Sequence, residues 1–162
     1  MKEALIFYFK TKWVNYRYNN LESKNKDFLL FDLSYSEGAF IAKEDLKSTF
    51  LLIKVPEKIP VFTLDKENFM TSILQLSGLK DIDFKKHPDF SKRFYLSGEN
   101  IKSIRSFFTD KLIFFFESHP PYYLESNGDM ILIRSKERLA SIQEIKQMLA
   151  FAEELLKILE KK

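Results

Sequence analysis

The chain contains no cysteine, which removes disulfide frameworks, thiol nucleophiles, iron–sulfur clusters and cysteine-bound zinc, and fits a reducing compartment. Histidine is scarce: His87 and His119 are the only two. The four glycines, Gly38, Gly78, Gly98 and Gly128, each fall at a predicted turn or helix end, and none belongs to a GxGxxG or Walker pattern. No GxSxG elbow, HExxH helix, SxxK pair or kinase signature occurs either. Long apolar runs are missing. The longest, Ala4–Phe9, has six residues, whereas a membrane-spanning helix needs about 20. The opening Met1-Lys2-Glu3 places an acid where a secretory signal is basic. These absences predict a soluble, cytoplasmic chain with no transmembrane segment, no metal and no cofactor.

What is present is ample material for a core. The 162 residues are 45% hydrophobic and 30% charged, the profile of one globular domain over 1–162. Seventeen phenylalanines, seven tyrosines and one tryptophan predict an aromatic-rich interior. The net charge of +3 is spread evenly, with 12 basic and 10 acidic side chains in residues 1–80 and 14 and 13 in the remainder. Neither half is a polybasic or acidic arm.

Along the chain, Ala4–Phe9 is apolar throughout and compatible with either strand or helix. Trp13–Tyr18 is rich in strand formers, and Asn19–Lys26 has the composition of a loop. Phe28–Tyr35 and Thr49–Val55 read as strands, the second stopped by Pro56. The spacing of Phe69, Ile73 and Leu76 predicts a helix over 65–76, with Thr63 or Asp65 as its N-cap. A strand over Arg93–Ser97 and helices over Glu99–Phe108 and Lys111–Ser118 follow. Asn127-Gly128 predicts a hairpin closed by a two-residue turn, with Leu124 opposite Ile131 and Tyr122 opposite Ile133 on its core side. Tyr123, Glu125, Met130, Leu132 and Arg134 then share the other side. Ser141 and Glu144 form a capping-box pattern opening a helix that runs to Glu160. Its stripe, Ile142, Ile145, Leu149, Ala152, Leu156 and Leu159, is widened by Met148, Phe151, Leu155 and Ile158 beyond a coiled-coil seam. The order of elements predicts an α+β fold: a mainly antiparallel sheet, helices packed on one face, and a long C-terminal helix.

Two stretches carry candidate chemistry. Asp81, Asp83 and His87 supply two carboxylates and an imidazole, the ligand types of acid–base catalysis, although alternation with Ile82 and Phe84 equally describes a strand with one wet face. Basic and aromatic residues interleave over 8–26 and 85–95, making Trp13, Arg17, Lys86 and Arg93 candidate binding residues for single-stranded nucleic acid or anionic lipid. An ordinary strand with charges outward explains them as well, and a net charge of +3 is a weak nucleic-acid signal.

Several blocks in order, Phe31-Asp32-Leu33-Ser34-Tyr35, Pro60–Leu64, Asp81–Phe84, His87–Glu99 and Leu124–Asp129 before a terminal helix, resemble a family of uncharacterised bacterial proteins from about residue 28 to the end. His87–Glu99 is the most specific part. The resemblance implies transmembrane helices ahead of this region in many members; this chain has none, and no activity or functional residue is carried over. The His87–Ser91 block then reads as a structural corner with Phe90 buried, or as half of a binding site. The leading expectation is a non-enzymatic binding or scaffold module engaging another protein, with peripheral membrane association left open. The alternatives are a hydrolase or other enzyme using Asp81, Asp83 and His87, and nucleic-acid or lipid binding through 8–26.

Overall fold

The computed structural model describes residues 13–22, 27–37, 44–66 and 81–160. They form strands β1 (Trp13–Glu22), β2 (Phe28–Glu37), β3 (Glu44–Lys54), β4 (Phe62–Lys66), β5 (Phe94–Ser97), β6 (Tyr123–Ser126) and β7 (Met130–Arg134). The helices are α1 (Pro88–Arg93), α2 (Ile101–Phe107), α3 (Asp110–Ser118) and α4 (Ile142–Leu159). The expected α+β class is the observed one. The seven strands make one antiparallel sheet in the order β1-β2-β3-β7-β6-β4-β5. The β6–β7 hairpin is wedged into its middle, between an N-terminal meander and the β4–β5 pair.

Side chains alternate between the two faces of a strand. On one face Leu30, Leu51, Ile53, Phe62, Leu64, Leu124, Ile131 and Ile133 merge with buried side chains from α1, α2, α3 and α4 into the larger core. On the other, Phe31, Leu33, Tyr35, Phe50, Tyr123 and Leu132 form a second buried cluster to which no described helix contributes. Burial on both faces explains why FLLF, FLLI and MILI are runs rather than alternating patterns.

The hairpin keeps its expected faces and changes its expected partners. Leu124 lies opposite Ile133 and Ser126 opposite Ile131. The loop is Gly128-Asp129, because the Asn127 N–H donates to the Met130 carbonyl at 3.2 Å. Asn127 Oδ1 accepts the N–H groups of Asp129 and Met130, at 3.1 and 2.8 Å, and Gly128 takes the positive φ of 102°. A two-residue displacement leaves the period-two alternation intact, so each side chain stays on its predicted face.

Three other expectations are corrected. Thr63 and Asp65 are not helix caps: they lie within β4, opposite Ser97 and Tyr95. Of the helix expected over 65–76, Asp65 and Lys66 are strand, and the rest, like Ala4–Phe9, lies outside the described residues. The expected 19–26 loop is strand as far as Glu22, because an irregularity between Tyr18 and Leu21 lets Asn19 adopt φ 51° and donate Nδ2 to Asp32 at 2.8 Å. Arg93 ends a short helix rather than beginning a strand.

The capping box of α4 is formed: Ser141 Oγ accepts the Glu144 N–H at 3.3 Å, and Glu144 Oε2 accepts the Ser141 N–H at 2.9 Å. Its buried seam is Met148, Phe151, Ala152, Leu155 and Leu159, so the residues expected to widen the stripe are at its centre. Ile142, at the expected start, is 74% exposed.

Gly98 joins β5 to α2 where a Cβ would stand 2.5 Å from Ile104 Cδ1 and 2.6 Å from the Val61 carbonyl oxygen. The carbonyl is backbone and cannot yield as a side chain can. Gly98→Ala is expected to lower stability by about 1–3 kcal/mol in urea unfolding, and an unchanged midpoint would show that the contact relaxes freely.

Candidate functional site

Asp81, Asp83 and His87 are occupied in holding the fold. Asp81 lies beside edge strand β5, where its Oδ1 accepts the N–H groups of Ile82 and Leu96, at 2.8 and 2.9 Å. The Ile82 N–H also approaches the Leu96 carbonyl at 2.8 Å, so residues 81–84 strap the sheet edge without forming a strand. Burial, the largest influence, raises the Asp81 pKa, and the bond from the Leu96 N–H opposes it. The Asp83 side chain is exposed, and its carbonyl accepts Arg105 Nη1 at 2.6 Å. His87 is buried, its Nε2 2.8 Å from Asp110 Oδ1 and its ring edge-on to Phe114. No hydrogen bond or ion pair joins Asp81, Asp83 and His87. Among the described residues no group of three or more His, Asp or Glu side chains is placed to hold a metal ion.

The candidate binding residues divide between opposite edges of the sheet. Trp13 pairs with Ser36 at the start of β1, and its side chain lies outside the described residues. Arg17 lies over the Phe31 ring at 5.6 Å. Lys86 is exposed in the turn before α1. Arg93 donates to the carbonyls of Glu117 and His119, closing the C-terminal end of α3, and lies 5.2 Å from the Phe94 ring centroid. Six inter-strand steps separate β1 from β5, about 29 Å at ordinary spacing, so the two pairs do not form one surface.

A different surface has the form of a binding site. Beside its buried seam, α4 presents Leu149, Glu153, Leu156, Lys157 and Glu160, spaced i, i+4, i+7, i+8 and i+11 along one flank. Facing it are Leu21 of β1, Phe28 and Leu30 of β2 and Leu51 of β3. Between them run two hollows of about 500 and 390 Å³ that share Phe28 and Glu153. The floor is apolar, and Leu21 is 64% exposed. The rim carries Glu22, Asp27, Glu153 and Glu160 against Lys54 and Lys157. None of the four carboxylates is in an ion pair among the described residues. The sequence signal for this site was the excess width of the helix stripe: Leu149 and Leu156 are among the apolar positions left over once the seam is filled.

No described helix is long and apolar enough to cross a membrane. No family model, curated protein or solved structure matches the chain.

Proposed function

We propose that the chain is a non-enzymatic binding module that docks a basic, amphipathic helical segment of another protein in the groove between α4 and the β1–β2–β3 side of the sheet. The observation that carries this reading is charge complementarity around an apolar floor. In a chain of net charge +3, the groove rim gathers four carboxylates and two ammonium groups. Its length supports the same occupant. Eleven residues of α4 rise about 16 Å, the span of three helical turns, which suits anchors at i, i+3 or i+4, and i+7. An anionic lipid surface meets the wrong sign of charge here. The Asp81, Asp83 and His87 bonds support binding over catalysis, since each side chain or its backbone serves a separate structural contact.

The test is a titration followed by amide NMR, using a 14-residue Leu/Lys amphipathic peptide, its Leu/Glu counterpart and vesicles containing phosphatidylserine. The Leu/Lys peptide is expected to shift Leu21, Leu149 and Leu156 and to lose at least about tenfold in affinity in Glu153→Lys, as a reversed rim charge requires. Leu149→Asp should weaken it similarly, with unchanged circular dichroism confirming the fold. Absence of binding, shifts mapped elsewhere, equal affinity in Glu153→Lys, or capture by the vesicles alone would each overturn the reading.

A further inference from the structure

On the opposite face of the sheet, three adjacent strands bring Asp65, Tyr123 and Arg134 into one transverse row. Tyr123 is paired directly with Arg134. Asp65 follows one step beyond the Leu64–Leu124 pair on β4. All three side chains are buried, at 7%, 7% and 5% exposure, and all line a cavity of about 140 Å³. At roughly 30 Å³ per water, that is room for a group of a few heavy atoms and too small for a drug-sized ligand.

The charges around this cavity are unevenly satisfied. Arg134 Nη1 is 3.1 Å from Glu137 Oε1, and its guanidinium lies 5.2 Å from the Tyr123 ring centroid. Lys136 Nζ is 2.8 Å from Glu144. Tyr123 donates its hydroxyl to Glu125 Oε2 at 3.0 Å, two residues further along β6. Asp65 has no ion pair among the described residues, and its described hydrogen bond is from the adjacent Lys66 backbone N–H at 2.7 Å to Oδ1. A buried carboxylate without an ion pair is costly, and a cation close to it relieves that cost. The cavity is lined by the carboxylates of Asp65 and Glu137 and by Lys66, Arg134 and Lys136, of which Arg134 is bonded to Glu137 and Lys136 to Glu144.

We propose that this cavity is a site for an ammonium or guanidinium group, accepted by the Asp65 and Glu137 carboxylates beside the Tyr123–Arg134 pair. The group belongs to a small free amine or to a lysine or arginine side chain of a partner; the recognition chemistry is the same. The site lies on the other face from the groove and does not depend on what the groove binds. Asp65 is held mainly by burial at a pKa of about 6, against the Lys66 N–H and the Arg134 and Lys66 charges, with Glu137 pushing it further up. Binding of a cation therefore strengthens as pH rises through that value.

The experiment titrates the intact chain with methylammonium, methylguanidinium and acetate at pH 7.5 and pH 5, reading the Asp65 carboxyl carbon and the Tyr123 and Arg134 signals by NMR. Saturable shifts with either cation, weaker at pH 5 and reduced at least about tenfold in Asp65→Asn, are the expected result. Glu137→Gln, which leaves Asp65 in place, should weaken the same shifts. Tighter binding of Nα-acetyl-lysine amide than of methylammonium would assign the site to a partner side chain, and equal or weaker binding to a free amine; both support it. Saturation by acetate alone, no saturable change with any cation, or shifts that persist undiminished in Asp65→Asn would overturn it.

Discussion

Phe90→Ala is expected to lower the unfolding free energy by about 3–5 kcal/mol, read as a reduced urea midpoint at unchanged slope. Phe90 is fully buried, and its ring contacts those of Phe94, Phe84, Phe108 and Phe116 at centroid distances of 5.0, 5.8, 6.0 and 6.4 Å. These rings belong to α1, β5, the 81–84 strap and the α2–α3 region, so truncation opens a cavity that no single element can close. The loss is a large fraction of the roughly 5–15 kcal/mol that holds an ordinary domain. Phe90→Leu, which retains most of the volume, should cost clearly less. Ser91 reinforces the same corner, its Oγ accepting the Phe84 N–H at 2.8 Å. A structural corner predicts this stability loss. A block serving as half of a binding site would tolerate Phe90→Ala with a change below about 1 kcal/mol, and that outcome would reverse the assignment.

The contrast between Ser141 and Asp65 shows which features a linear pattern can disclose. Ser141 and Glu144 are three residues apart and satisfy each other's backbone groups, so sequence contains the whole interaction. Asp65 has equally good N-cap chemistry, but its β-partner Tyr95 is 30 positions away, and the pairing overrides the local preference. The hairpin is an intermediate case. Alternation fixed which side chains share a face, whereas Asn127 Oδ1, by taking two backbone N–H groups, decided where the loop closes. The candidate sites follow the same division. Tyr123 and Arg134 were readable on one face of the hairpin, but the acid that completes their row comes from a strand with the composition of a helix start. The groove needed both the excess apolar width of α4, visible in sequence, and the position of β1 and β2, which is not. Asp81, Asp83 and His87 are close in sequence, which is the only proximity a linear pattern displays. Their bonding partners, Leu96, Arg105 and Asp110, are up to 23 residues away and give them separate tasks.

Asp65→Asn is expected to stabilise the protein by about 1–3 kcal/mol above pH 7 and by nothing below pH 4. Burial raises the folded-state pKa from 3.8 to about 6, so the native state holds a proton that the unfolded chain releases between those values. The sign follows directly: with more protons bound to the native state, stability is greatest below the unfolded pKa and declines as pH rises through the folded one. The full difference corresponds to about 3 kcal/mol, and loss of the attraction to Arg134 and Lys66 reduces what Asn recovers. Asn keeps a carbonyl oxygen for the Lys66 N–H, so the local geometry survives. Other carboxylates act in the opposite direction; Glu144, bonded to Arg138 and Lys136, is held well below the usual range. The informative quantity is therefore the difference between wild type and variant, measured by urea unfolding at steps from pH 4 to pH 8. A difference that grows across pH 4–6 and then levels places the raised pKa on Asp65; a flat difference removes it. If the same substitution stabilises the fold and abolishes cation binding, the carboxylate is destabilising to the empty protein and necessary to the occupied one, the combination that distinguishes a binding residue from a packing residue.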